Sequence, residues 1–303
     1  MRVAALDLGT NTFLCLIADG DSSGIKVVHK DLMQVVRLGQ EIDKTGKFHP
    51  EALARARSCL KSFKKEIDSC KVDKILAMAT SAARDAENGS ELFKIGQDLG
   101  IPIEIIPGKD EARITYQGAI AGKDRNVSKS YLVVDVGGGS TEMILGAGSK
   151  IIHGESADIG GVRLTERFVT VQPIPPSEQL EMGGYIKKQL ASVLTQIKKH
   201  PLDEVVAVAG TPTSIAAIEL GGYDEKKVDS FYLSRERLEF WNKEFAATSV
   251  QEKKDKYSLG GRADIIFAGS LILLEILREL NLNGLTVSTK GVRYGVAIEM
   301  FRN

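Results

Sequence analysis

The sequence predicts an α/β protein of two domains. Three observations point there. Strand-like and helix-like segments alternate along most of the chain, which implies sheets covered by helices. Its 303 residues are about twice the roughly 150 expected of one domain. A short motif near the N-terminus returns near the middle: residues 3–12 read VAALDLGTNT and residues 131–141 read YLVVDVGGGST.

In order, Val3–Leu8, Phe13–Ala18 and Lys26–Leu32 are apolar or alternating and read as strands, the first two joined by a short turn. Pro50 opens an amphipathic helix to about Ser69, since proline is pre-shaped for a helix's first turn. Lys74–Met78 is a strand, Ser90 is positioned to cap a short helix, Ile101–Ile106 is a strand, and a helix follows from about Lys109 to Ala121. The polar, turn-rich Gly122–Ser130 marks the boundary, dividing the chain into domains 1–123 and 124–303. Tyr131–Val136, Glu142–Gly146 and Ile151–Glu155 form a second strand cluster, and a proline-rich loop at Pro173–Pro176 leads into a helix ending near His200. Val205–Ala209 is a strand running into a helix at Thr213–Leu220; Asp264–Leu280 is a buried helix; Leu285–Ser288 and a helix from Gly291 complete the second domain.

The repeated motif carries the chemistry. Each copy is an apolar strand, an acid (Asp7 or Asp135), a glycine turn with hydroxyl-bearing residues, and a second strand, with the acids 128 residues apart. Glycine lets an anion approach the backbone, and successive N–H groups with Ser or Thr hydroxyls form an anion-binding concavity. That describes Gly9, Thr10 and Asn11 in the first copy, and Gly137, Gly138, Gly139, Ser140 and Thr141 in the second. The acids repel phosphate but suit a hard cation that bridges to it, so Asp7, Asp135 and Glu142 are candidate Mg²⁺ ligands. The competing reading of VVDVGGGSTE is an ordinary glycine-rich hairpin. No Walker A loop or complete GxGxxG pattern occurs.

VAVAGTPTS (Val206–Ser214) is a third candidate: Gly210-Thr211 lies between strand and helix, with Thr213 and Ser214 as caps, and capping alone explains it equally well. In ATSAARDA, Arg84 follows a strand end and suits phosphate, though it equally fits a solvated helix start. In PGKDEARITYQGA, Asp110 and Glu111 begin a helix, where the dipole favours acids without any catalysis; residue physics prefers that plain reading. His29, His49, His153 and His200 have no metal spacing, and Lys187-Lys188 and Lys198-Lys199 read as a solvated helix face.

Composition excludes more than it identifies. Forty basic residues balance forty acidic ones, so no global field favours nucleic acid or membrane. Cys15, Cys59 and Cys70 lack framework or CxxC spacing and read as inert thiols of a reducing compartment. No run reaches a membrane span and no leader pattern opens the chain, so a cytoplasmic protein is expected.

Taken in order, LDLGTNTF, ATSAARDA, GKDEARITYQG, VVDVGGGSTE, DIGGVRLTERF, AVAGTPTS and VSTKGVRYG resemble the motifs of the Ppx/GppA phosphatases, the exopolyphosphatases and guanosine pentaphosphate phosphohydrolases. The resemblance spans essentially the whole chain. It implies two actin-like domains (actin/Hsc70/sugar-kinase, ribonuclease H-like) flanking an interdomain cleft, and Mg²⁺-dependent hydrolysis of a terminal phosphoanhydride. It also implies a catalytic base at Glu111, overturning the dipole reading, with Asp110 where the family usually has Glu. Arg84 matches the phosphate-contacting arginine, Asp135 and Glu142 the acids near the metal, and both turns the phosphate cradle. Long members continue into helical and HD-type domains, so a short form ending at Asn303 is expected. The expected substrate is inorganic polyphosphate, with guanosine pentaphosphate as the alternative and an actin-fold kinase or non-catalytic nucleotide sensor behind it. A homodimer is expected, with no nucleic-acid or membrane partner.

Overall fold

The computed structural model describes residues 1–123 and 129–302. The chain forms two compact units: Met1–Ala121 together with Gly291–Asn303, and Gly122–Lys290. Residues 124–128 of the expected boundary segment lie outside the described residues.

In the first unit, β1 (Arg2–Leu8), β2 (Thr12–Asp21) and β3 (Gly24–Val35) form an antiparallel meander, followed by α1 (Ile42–Thr45), α2 (Pro50–Cys70), β4 (Lys74–Ala79), α3 (Ser81–Asp85), α4 (Ser90–Leu99), β5 (Ile103–Ile105) and α5 (Gly108–Ala119). The sheet order is β3-β2-β1-β4-β5, with β4 parallel to β1 and β5 parallel to β4. β1 is central, which is why it reads as a nearly continuous apolar run. On α2, Pro50 opens the helix as expected and the His49 ring accepts from the Glu51 amide. Its buried residues Leu53, Ala56, Leu60, Phe63 and Ile67 recur at helical spacing and pack on one sheet face. Ser90 is the first residue of α4, not its cap.

In the second unit, β6 (Ser130–Val136), β7 (Thr141–Ala147) and β8 (Lys150–Ala157) again form an antiparallel meander. Then come α6 (Gly161–Phe168), α7 (Pro176–Ile197), β9 (Glu204–Val208), α8 (Gly210–Glu219), α9 (Glu225–Val228), β10 (Tyr232–Ser234), α10 (Arg235–Ala247), α11 (Val250–Tyr257), α12 (Ile266–Glu279) and β11 (Gly284–Val287). The order β10-β11-β9-β6-β7-β8 contains β8-β7-β6-β9-β11, the first sheet's arrangement with one edge strand added. The short motif echo is therefore the visible trace of a duplicated topology, and the expected two-sheet α/β class holds. Alternate residues of β6 and β7 (Leu132, Val134, Val136, Met143 and Leu145) face the core shared with α7 and α12.

One assignment changes. The last helix, α13 (Val292–Arg302), belongs to the first unit, not to the expected domain 124–303. It follows β11 directly, so sequence adjacency misplaces it. Its Val292, Val296, Ala297, Met300 and Phe301 form one core with Val3, Ala5, Leu16, Ala18 and Ile114 on the other face of the first sheet. The helix backbones of α5 and α13 touch: a Cβ on Gly295 would lie 2.0 Å from Ile114 O, and one on Gly118 2.1 Å from Gly291 O. Only glycine allows that approach.

The buried Lys253 of α11 donates to Gln172 Oε1, and burial pushes its ammonium down to about 8. The folded chain therefore releases this proton before the unfolded chain, whose lysine titrates near 10.5. Between those values the unfolded state binds more protons, so this group's contribution to stability rises with pH. Urea midpoints for the parent are expected to gain on those of Lys253→Met from pH 8 to 10. Parallel pH profiles would contradict this.

Among the described residues no helix is long and apolar enough to cross a membrane. Cys15 and Cys59 are buried free thiols pushed up to about 12 by burial, which leaves them unreactive. Lys187 and Lys198 pair with Glu275 and Glu279 of α12, in keeping with a solvated helix face.

Candidate active site

Both repeated turns are tight hairpins closed the same way: Gly9 N–H donates to Thr12 O at 3.1 Å, and Gly137 N–H to Ser140 O at 3.0 Å. Asp7 pairs with Leu14 across β1 and β2, while Asp135 pairs with Glu142 across β6 and β7. The duplication is thus chemically unequal. One hairpin carries a carboxylate opposite leucine, the other a carboxylate opposite a carboxylate.

The second turn is held from one side by α6. Gly161 N–H donates to Gly137 O at 2.9 Å, Val162 and Arg163 N–H to Gly138 O at 2.9 and 3.1 Å, and Arg163 Nε to Gly139 O at 2.9 Å. In a trans peptide the N–H points opposite to the preceding carbonyl. The amides of Gly138, Gly139 and Ser140 are therefore turned away from α6, and they make no hydrogen bond among the described residues. Three successive outward amides form an anion concavity. Gly160 makes the docking possible, because a Cβ there would sit 2.4 Å from Gly138 O. Gly160→Ala is expected to displace the turn and lower kcat/KM by about 10²-fold, the scale of a 1 Å misplacement. Phosphate-release kinetics alongside a thermal melt check this; an unchanged rate would show that the turn tolerates the shift.

Thr141 departs from its expected role. It is fully buried and its hydroxyl donates to Ile159 O at 2.7 Å, so its only O–H fastens β7 and is not available to phosphate. In the first turn the carbonyls of Thr10 and Asn11 are occupied by amides of Gly39, Val36 and Arg37 at 2.8–2.9 Å, which turns Asn11 N–H to the opposite side. Thr10 and Asn11 are themselves buried.

Asp135 and Glu142 lie directly opposite on one face of the sheet and both are buried. Ser156 of β8, opposite Glu142, donates to its Oε1 at 2.8 Å. Among the described residues there is no group of three or more His, Cys, Asp or Glu side chains that could hold a metal ion. A pair of hard carboxylates fits Mg²⁺ nonetheless, since that ion keeps several waters and takes one or two carboxylates plus phosphate oxygens. In the first unit the guanidinium of Arg293 sits near enough to Asp7 to interact with it while making a bidentate pair with Asp31 at 2.7 and 2.8 Å.

Glu111 sits in the first turn of α5, but it is 4% exposed and not a solvated dipole acid. Arg84 Nη1 donates to Glu111 Oε2 at 2.6 Å and to Ile106 O at 2.8 Å. Neighbouring Asp110 is exposed and pairs loosely with Arg113 at 3.7 Å, so the Asp-for-Glu exchange lies on the solvent side of the helix.

The third candidate begins earlier than expected. α8 starts at Gly210, and Thr213 is no cap: its hydroxyl donates back to Ala209 O at 2.8 Å. Ala209 holds φ 76° and ψ −169°, a region essentially reserved for glycine and costing about 1–3 kcal/mol. Gly210 admits the Arg262 guanidinium, whose Nε would lie 2.4 Å from a Cβ there. Thr211 lodges its side chain against Gly269, so its amide, not its hydroxyl, faces the helix mouth. Sequence reasoning missed Ser156, Arg163, Arg262 and Arg293. Of these, only Arg163 and Arg293 lay inside recognised motifs, DIGGVRLTERF and VSTKGVRYG.

The Ppx/GppA phosphatase family model matches residues 16–303. The chain belongs to this family. It is 34% identical to exopolyphosphatase 2 of Mycobacterium tuberculosis, over 99% of this chain and 98% of that protein. Among solved structures it resembles an exopolyphosphatase-like protein (TM-score 0.92, 30% identity, 100% of this chain and 99% of that one). It also resembles the Aquifex aeolicus Ppx/GppA member (TM-score 0.81, 31% identity, 99% and 97%). Family membership makes the chain a hydrolase of the phosphoanhydride-cleaving class.

Proposed function

We propose that the chain is an exopolyphosphatase, releasing phosphate by hydrolysis of the terminal phosphoanhydride of inorganic polyphosphate. The observation that carries the reading is the second turn, where three outward amides adjoin a buried carboxylate pair. The amides of Gly138, Gly139 and Ser140 bind the oxygens of the phosphoryl group, and the start of α8 in the same unit supplies further amides. A divalent cation such as Mg²⁺, held by Asp135 and Glu142, supplies positive charge against those oxygens when bound. Glu111 accepts the proton of the attacking water at a carboxylate oxygen. Arg84 engages its neighbours through Nη1 alone among the described residues, so one edge orients Glu111 and the other is available to a phosphate oxygen. Phosphoryl transfer asks for this kind of positioning and charge, more than for covalent chemistry.

The reading carries a cytoplasmic setting, in keeping with the buried free thiols, and a homodimer that sedimentation of the purified chain would test. The deciding assay measures phosphate release from long polyphosphate, short polyphosphate and guanosine pentaphosphate, with Mg²⁺ and with a chelator. Polyphosphate is expected to be the best substrate and the chelator to abolish release. Preference for guanosine pentaphosphate would replace the substrate, and no release from any of the three would remove the reading.

A further inference from the structure

A three-strand row crosses the second sheet: Asp135 on β6, Glu142 on β7 and Ser156 on β8 are directly opposite one another. Directly paired residues share a face, so their side chains project together. The adjoining row on that face is Val133, Ile144 and Gly154, of which the first two are fully buried and the third has no side chain. Glu142, 1% exposed, thus has an apolar neighbour row, where a carboxylate requires a hydrogen-bond donor. Ser156 is one, with Oγ 2.8 Å from Oε1. The β7–β8 ladder runs unbroken from Thr141–Ala157 to Leu145–His153, which fixes this register. A slip by one residue would set either Ala157 or the acid Glu155 against Glu142, losing the donor or adding a like charge.

We propose that Ser156 is a positioning residue for cation binding: its hydroxyl fixes the rotamer of Glu142 and so sets how tightly the Asp135–Glu142 pair holds a divalent cation. The inference rests on the cation role proposed above. Ser156 touches neither substrate nor cation and acts only through Glu142. Its bond at Oε1 holds the Glu142 carboxylate in a defined place beside that of Asp135, and groups that orient metal ligands in this way typically govern about 10–100-fold in affinity.

The test is a Mn²⁺ titration of the full chain, followed by the electron paramagnetic resonance signal of the free ion, since Mn²⁺ shares the oxygen preference of Mg²⁺. Ser156→Val and Ser156→Thr match in shape and differ in the hydroxyl. The Val variant is expected to bind Mn²⁺ about 10–100-fold more weakly than the parent, and the Thr variant close to the parent. Equal affinities for the two, whether both native-like or both weak, overturn the proposal. Ser156→Ala serves if Val prevents folding, with the same expectation against Thr. Glu142→Gln separates the two layers: if it retains parent affinity, or the parent binds no Mn²⁺, the cation reading itself fails. If Glu142→Gln loses binding while Val and Thr agree, only the role of Ser156 fails.

Discussion

Glu111→Gln is expected to lower kcat for phosphate release by about 10²–10⁴ while leaving KM near the parent value. Glutamine keeps the shape of the side chain and an oxygen for Arg84, whose Nη1 also remains anchored on Ile106 O at 2.8 Å. It removes only the capacity to take a proton. Initial rates across a range of polyphosphate concentrations separate kcat from KM, and a melting curve shows whether the fold is kept. Full activity in this variant would exclude Glu111 as the base. A loss confined to KM would make it a binding group.

The second large effect concerns the first unit's stability. Arg293 is 8% exposed and pairs bidentately with Asp31 at 2.7 and 2.8 Å, with Tyr294 O–H adding a bond to the same carboxylate at 3.3 Å. Removing one partner of a buried pair strands the other, so Arg293→Met is expected to destabilise by about 3 kcal/mol. Urea denaturation measures the loss. The double variant Asp31→Asn with Arg293→Met removes the stranded charge and is expected to recover most of it. If the double variant is no more stable than the single one, the loss came from Arg293's packing and not from the uncompensated carboxylate.

What the sequence displayed was local. The turns around Gly9 and Gly137 were legible because an acid, a glycine and hydroxyls must be contiguous to make a nest. α2 was legible because Pro50 and the spacing of its buried residues lie within one segment. Glu111 was not legible from residue physics alone, because its burial and its partner Arg84 come from a different part of the chain. Nor was Ser156, which gains its meaning from the register of β8 against β7. The region holding α9, β10, α10 and α11 went unassigned, and so did α6, where Gly160 gives the close approach to Gly138. Thr141 read as a phosphate ligand because its hydroxyl adjoins the turn, and only the fold reveals Ile159 O as its acceptor.

The return of α13 to the first unit has a consequence for biosynthesis. The second unit is contiguous in the chain, whereas the first is completed by a helix translated after all of it. On the ribosome, β1 to α5 must wait, with Val3, Ala5, Leu16 and Ile114 uncovered, until Val292–Arg302 emerges. The nascent first half is thus a natural client for chaperones, while the second half is free to fold first.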